Sequence, residues 1–429
     1  MTDELAFEAE VERHYRHNFI VNFLDGAFFW FGGSFIAART ILPLYVSHLT
    51  DSKLLLGLIP AIASGGWLVP QLFTANWVQR LPRKKVVPVR LGLFSERLPV
   101  FLLVPAAWLS VRAPAVALAA VFVLFAWHVV GAGVIAVAWQ DMIAKIIPVD
   151  RRGRFFGLTN FSGTAAGVLG AAAAAWLLDG YDFPDGYVLC FAAAAALIGV
   201  SWIFLALTRE PVQVSQTEHV PQREYWRRLP AVLRGDRNFA RYLLSQAVIS
   251  LGGMAGGFVA VYAVQRWDLP DAEAGRLTAA MLIGQAACNL VFGFVADRKG
   301  HKLVLEWSTL LGTLAIGLAA IAPAPAWFYA VFALSGGSVA GFILSGIMIA
   351  FEFSSPDMRP TYIGLNNTTS GAVASVSPLF GGWLAGTIGY RWLFVVAFTI
   401  GLVGFALLRW SVREPRQVSA ARYGVRSGD

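Results

Sequence analysis

The sequence predicts an all-α integral membrane protein of twelve transmembrane helices, arranged as two pseudo-symmetric six-helix bundles. Three observations predict it. The 429 residues are 57% hydrophobic and 14% charged, with a mean hydropathy of +0.61, which is too apolar for a water-soluble domain. The apolar residues form continuous runs of the roughly 20 residues a bilayer-spanning helix needs, not the short alternating segments of a barrel. One long segment also recurs. "DRRGRFFGLTNFSGTAAGVLGAAAAAWL" (150–177) aligns without gaps on "DMRPTYIGLNNTTSGAVASVSPLFGGWL" (357–384), pairing Asp150 with Asp357, Arg152 with Arg359, Gly157 with Gly364, Asn160 with Asn367 and Trp176 with Trp383. Apolar helices match Ala and Leu by chance, but not an Asp, an Arg, an Asn and a Trp in one register.

In chain order the predicted spans are 19–46, 54–79, 86–109, 114–144, 155–178, 186–208, 239–265, 273–296, 303–322, 325–353, 361–388 and 391–410. The first half is then 1–208 and the second 239–429, ending in a short basic tail. Between them, 209–238 ("REPVQVSQTEHVPQREYWRRLPAVLRGDRN") is too polar to span and reads as a cytoplasmic joint. The chain carries a net charge of +8 and a pI near 9.6, which in a soluble protein would suggest nucleic acid. The distribution decides otherwise. Of the 34 Lys and Arg, all but Arg39, Lys53, Arg97, Arg112, Arg266, Arg276 and Arg391 fall in or beside the termini and loops 2–3, 4–5, 6–7, 8–9 and 10–11. Cationic loops stay cytoplasmic, so both termini are expected in the cytoplasm of a cell (inner) membrane protein, with the acidic loop "DGYDFPD" (179–185) outside. The first eighteen residues lack the apolar core of a signal peptide, so insertion is expected through the first span. Cys190 and Cys288 sit alone in separate spans and read as packing residues, with no disulfide or zinc site.

Polar residues inside spans are the pointers to function, because lipid does not solvate them. In span 1, Asn22, Asp25, Phe29, Gly32, Ile36 and Arg39 recur at steps of three and four, which places them on one helical face with Asp25 and Arg39 about 21 Å apart. Asp25 is a candidate proton-coupling carboxylate and Arg39 a candidate binder of an anionic group; the alternative is a residue reaching for the interface. His128, beside Trp127 and Trp139 in span 4, suits proton transfer or ring stacking, or simple hydrogen bonding. Gln246, Ser250, Gly253 and Gly257 share a face of span 7, and Gln285 and Asn289 share one of span 8. Glu96 and Arg97 fall in the middle of span 3, where a charge is unfavourable unless the two pair locally or face inward.

Between spans 8 and 9 the chain reads "GFVADRKGHK" (293–302). A glycine-containing turn reverses the chain, and the cations hold it at the cytoplasmic face. The spacing of Gly293, Asp297, Arg298, Gly300 and Lys302 resembles the signature loop of the major facilitator superfamily, whose members have two six-helix halves related by a pseudo-two-fold axis. The resemblance implies a gate, with the Asp engaging a neighbouring helix in one state and releasing it in the other. The first-half copy, "ANWVQRLPRKK" (75–85), departs from the pattern with Ala75 for the glycine and Gln79 for the acid, leaving the second loop as the gate candidate. Glu352 and Arg359 resemble the acid-then-basic pair that ties helix ends in the superfamily's sugar porters, with Asp141 and Arg151 or Arg152 as the first-half counterpart. The proline of the drug antiporters' span-5 signature is missing from 162–175.

No HExxH, GxSxG, Walker or His-rich tract is present, so catalysis and ATP-driven pumping are set aside and no metal or cofactor is expected beyond a coupling proton. The expectation is a secondary transporter that moves a small solute by alternating access, coupled to protons. A broad-specificity drug or lipophile efflux pump of the same fold, or a solute sensor that does not transport, are the alternatives. The expected partners are a small-molecule substrate and the lipid bilayer, with no nucleic acid, and the expected state is a monomer.

Overall fold

The computed structural model describes residues 2–79, 81–148, 151–212, 232–346, 348–354 and 359–416, and no strand occurs among them. The first half contains α1 (Thr2–Ser34), α2 (Ile41–Ser47), α3 (Lys53–Gln79), two π-helical turns (Val87–Leu91 and Leu93–Arg97), α4 (Leu98–Trp108), α5 (Pro114–Ile146), α6 (Arg152–Gly180) and α7 (Asp185–Ala206). The second contains α8 (Arg237–Gly252), α9 (Val259–Trp267), α10 (Ala272–Lys299), α11 (His301–Ile321), α12 (Trp327–Ser345), α13 (Met348–Phe353), α14 (Arg359–Ile388) and α15 (Tyr390–Ala406), which runs into a π turn at Leu407–Ser411. Most of the joint, 213–231, lies outside the described residues.

Local chemistry fixes many of the ends. Pro114 opens α5, where a missing N–H costs nothing, and the Asp236 carboxylate caps α8 by accepting the Phe239 N–H at 2.9 Å. The turn closing α10 places Gly300 at φ +91°, a conformation that a side chain would strain. Ten helical stretches are long and apolar enough to cross a membrane by length and composition. Predicted spans 1 and 3 are not among them, because α1 carries the charged N-terminal segment and α4 is shortened by the π turns. Large apolar side chains such as Trp410, Phe294 and Leu290 are 77%, 70% and 69% exposed, as lipid-facing residues of a membrane protein are.

Three predicted spans are broken. Span 1 ends as a helix at Ser34 and resumes at Ile41, so Ile36 and Arg39 lie in a turn and leave the helical face that Asn22, Asp25, Phe29 and Gly32 share. Span 7 breaks at a short 3₁₀ turn, Gly253–Ala255, and span 10 between α12 and α13. Glycine-rich runs lose little side-chain packing when they leave helical geometry, and the hydropathy pattern is blind to them.

Contacts divide the described chain into two compact units. Unit 1 holds 1–51, 62–217 and 264–279; unit 2 holds 52–61, 218–263 and 280–429. Within unit 1, α1 packs against α6 and α7, and α4 against α5 and α7. Asp271, from the second half of the sequence, accepts hydrogen bonds from His48 Nε2 at 2.6 Å and Tyr187 Oη at 2.9 Å in this unit. Within unit 2, α11 packs on α12 and α15, and α8 on α14 and α15. Lys53 donates to the Ala385 carbonyl at 3.1 Å and lies 4.7 Å from the Tyr390 ring centroid.

The repeat extends into the segments after spans 6 and 12, "TREP" (208–211) and "VREP" (412–415). Asn18 clasps the first through its backbone, donating to the Arg209 carbonyl at 2.8 Å and accepting the Arg209 N–H at 2.9 Å. Asn238 makes the same pair with Arg413, at 3.1 and 2.8 Å. The acids differ. Glu210 accepts the N–H groups of Lys84 and Lys85 and the Lys145 ammonium, at 2.9, 2.7 and 2.9 Å. Glu414 keeps one carboxylate oxygen buried and without a partner, so burial, with Glu352 nearby, pushes its carboxyl up from the ordinary 4.5 against the pull of Lys302 and Arg416.

This packing has two measurable consequences. A Cβ on Gly131 of α5 would overlap the Ser95 carbonyl oxygen, so Gly131→Val is expected to lower the thermal midpoint in detergent by an amount equivalent to about 1–3 kcal/mol, whereas a neutral result would show that the α5 contact is loose. An acid whose pKa is raised on folding stabilises the fold below its unfolded value and loses that contribution as pH rises through the folded one. Thermal midpoints measured from mildly acidic to alkaline pH should therefore fall more steeply in the native chain than in Glu414→Gln; parallel profiles would remove Glu414 as the source.

Candidate functional site: a buried charge cluster in the first half

The two mid-span charges, Glu96 and Arg97, are buried in unit 1. Pro99 has no N–H to give the Ser95 carbonyl, and just before it the helix opens into a π turn in which the Leu98 N–H bonds to the Leu93 oxygen. An extra residue in a turn re-aims the side chains that follow. Glu96 and Arg97 are each only 3% exposed and form an ion pair with each other.

Three further helices complete the cluster. Asp25 of α1, 4% exposed, accepts a hydrogen bond from Ser201 Oγ of α7 at 2.6 Å and another from the Trp139 side chain of α5. The Arg97 charge acts on Asp25, and the guanidinium carbon lies 5.9 Å from the Phe29 ring centroid. His128 of α5 bonds through Nδ1 to the Glu96 carbonyl at 2.7 Å. A carbonyl oxygen only accepts, so Nδ1 carries a proton and the neutral ring keeps its lone pair on Nε2. Arg97 Nε and Ser95 Oγ are buried without hydrogen-bond partners. The cluster thus holds two carboxylates against one guanidinium, beside an imidazole able to accept a proton. Its surplus charge is removed by one proton.

The other sequence-level candidates divide. Asn22 is fully buried and spends its amide on the Asn18 carbonyl at 2.8 Å and Thr208 Oγ1 at 3.1 Å, a tie between helix ends. Arg39 is exposed in the turn after α1. Gln246 is 5% exposed and donates to Tyr242 Oη at 3.0 Å within α8. Gln285 and Asn289 lie half-buried on α10 and are not hydrogen-bonded among the described residues, which leaves their amides available. In the signature loop Asp297 and Arg298 are exposed, Gly293 has open space around it and Gly300 needs its positive φ. Lys302 does not stay in the loop: it is 7% exposed and bonds to Glu306 at 2.6 Å, and Glu306 also pairs with Arg409 at 3.0 Å.

The helix-end charges have these partners among the described residues, whereas the Glu352–Arg359 pairing rests on a side chain outside them. Asp141 is 3.5 Å from Lys84. Arg151 pairs with Glu12 at 2.9 Å, and Arg152 donates to the carbonyls of Ile147 and Ala144. Glu352 accepts from Arg416 at 2.6 Å, and Arg416 also donates to the Ala296 and Asp297 carbonyls that end α10. The side chains of Arg359, Ala75 and Gln79 lie outside the described residues. Sequence reasoning missed Ser201 and the Arg416 tether. Nothing marks one serine among apolar neighbours, but the repeated Arg-Glu-Pro is a signal that points to the segment before Arg416.

The family described as Major Facilitator Superfamily matches residues 26–267 and again 242–427, one match over each half. The chain belongs to the Major Facilitator Superfamily. A curated relative, the multidrug resistance protein MdtH of Salmonella arizonae, is 26% identical over 66% of this chain and 69% of its own length. The efflux pump apf11 of Gibberella fujikuroi is 30% identical over 32% of this chain, and the synaptic vesicle 2-related protein of Xenopus laevis 29% identical over 38%. Those two matches span only about a quarter of the relatives' own lengths, 25% and 28%. Among solved structures, a mutant of the nucleoside transporter NupG superimposes with a TM-score of 0.69 over 92% of this chain and 99% of that one at 15% identity. A D-xylose-proton symporter gives 0.65 over 93% and 98% at 14% identity. At these identities the superpositions establish the superfamily fold. The chain is a multi-pass membrane protein of that superfamily.

If the cluster is one charge-compensating unit, Arg97→Met, which leaves two buried carboxylates facing each other, should cost about 3–5 kcal/mol of stability, and adding Glu96→Gln should restore most of it. A double variant as unstable as the single one in detergent unfolding would show that Arg97 matters for packing and not for charge.

Proposed function

We propose that the protein couples solute movement to protons, with Asp25 as the carboxylate that gains and loses the coupling proton. The supporting observation is the charge balance around Arg97: Asp25 and Glu96 are both almost fully buried beside a single cation. Taking up a proton on Asp25 leaves Arg97 to Glu96 alone, and losing it returns Arg97 to shared duty. A charge and its solvation therefore move between helices α1 and α4 with each proton, which suits a cycle that must respond to protonation. His128, whose Nε2 is free to accept, is placed to pass the proton on.

Gln285 and Asn289 are the proposed solute-facing amides of the second half, and Arg39 a proposed contact for an anionic group. The signature loop, with Asp297 exposed, is the proposed gate. The positive-inside distribution supports cytoplasmic termini in the cell (inner) membrane. Efflux of lipophilic compounds is the second reading, supported by the names of two relatives, an efflux pump and a multidrug resistance protein.

The experiment begins with a thermal-shift panel of nucleosides, sugars and lipophilic cations on the detergent-solubilised protein, since a ligand that binds the folded state raises the midpoint. With the ligand so found, native proteoliposomes should accumulate it under an imposed proton gradient. Asp25→Asn should abolish accumulation while keeping solute exchange across the membrane. Undiminished accumulation by the variant would remove Asp25 from the coupling.

A further inference from the structure

Beside the clasped Arg-Glu-Pro segment of unit 1 lies an open cavity of about 260 Å³, lined by Glu10, His14, Arg83, Lys85, Thr208, Arg209 and Glu210. Its charges are not balanced from within. Glu210 already accepts the Lys84 and Lys85 N–H groups and the Lys145 ammonium. Lys85 spends one amine proton on the Thr208 carbonyl at 2.6 Å. Among the described residues the Arg209 side chain reaches only the His14 ring, at 3.5 Å, and Arg83 has no hydrogen bond or ion pair. Glu10 is the remaining acid, exposed and in no ion pair with a described residue. Burial, and more weakly Arg83, push the Lys85 amine below its ordinary value against the pull of Glu210.

The walls are fixed more firmly than a solvated cationic surface needs. Asn18 holds the Arg209 backbone on both its N–H and its C=O, and Glu210 holds the backbone of Lys84 and Lys85. The second half closes the corresponding segment with its own chain. There Arg416 follows Arg-Glu-Pro and binds Glu352 and the end of α10, whereas in the same register the first half has Val212, which donates nothing comparable.

The geometry points to this cavity as a binding site for a phosphate group, which Arg83, Arg209 and Lys85 hold and which in the membrane is the headgroup phosphate of an anionic phospholipid. Guanidinium forks suit phosphate oxygens, and basic pockets at the ends of membrane helices take anionic headgroups. Glu10 sits against the anion and limits the affinity. The inference uses the proposed orientation only to place the lipid in the cytoplasmic leaflet, and the test does not depend on it.

Purified full-length protein in neutral detergent is titrated with phosphatidylglycerol, with phosphatidylcholine at the same mole fractions, and separately with inorganic phosphate at constant ionic strength, reading the thermal midpoint of the native chain, Arg83→Gln, Arg209→Gln and, as a control on an exposed cation of unit 2, Arg237→Gln. Phosphatidylglycerol should raise the native midpoint by about 3 °C or more over phosphatidylcholine, and either cavity variant should lose at least half of that shift while the control keeps it. A shift with inorganic phosphate, lost in the same variants, would support the site and assign it to a soluble phosphate ester. Equal phosphatidylglycerol shifts in native and cavity variants, or no shift with either probe, would overturn it. All three substituted positions are solvent-accessible arginines, and each variant's midpoint without added lipid verifies that it folds.

Discussion

A charge inside a bilayer has no water to fall back on, and that constraint organises this protein from its core to its helix ends. Arg97 is held among four helices with Glu96 and Asp25, the carboxylates that compensate it among the described residues. Satisfying it requires a π turn ahead of Pro99 and a glycine at 131, where α5 touches the backbone of that turn. Helix geometry, packing and charge are therefore one problem at this site. A substitution that relieves one strains the others.

The same constraint governs the helix ends, where the solution is local. Each half returns its last segment against its first helix through an asparagine that reads only backbone, Asn18 on Arg209 and Asn238 on Arg413. The side chains that follow have diverged. Both Glu210 oxygens accept hydrogen bonds, while Glu414 retains a buried unpartnered oxygen and lies beside the arginine that ties Glu352 to the signature-loop helix. A duplicated scaffold thus carries an acid bonded through both oxygens in one half and a partly unpartnered acid in the other.

Much of the site is legible in outline from the amino-acid order. Asp25 and His128 stand out as polar residues in apolar runs, and Glu96 and Arg97 as adjacent opposite charges able to pair locally. The missing element is the partner. Asp25 meets Ser201, distant in sequence, and His128 meets a backbone carbonyl, and neither contact has a spacing that a linear pattern can carry. The helix-end charges depend on packing in the same way. Asp141 takes Lys84 and Glu352 takes Arg416, because an ion pair forms between whichever helix ends the packing brings together.

Residue order alone sets the solvent, the element type and the repeat. Continuous apolar runs leave a backbone in lipid no choice but a helix, and the matched polar residues of 150–177 and 357–384 reveal the duplication. Where those helices break, which charges meet and which polar groups remain unspent are settled only by packing in three dimensions. Hydropathy sums over a window and is insensitive to a π turn or a glycine break, whereas the pairing of Asp25, Glu96 and Arg97 depends on ångström-scale placement of three side chains from two helices.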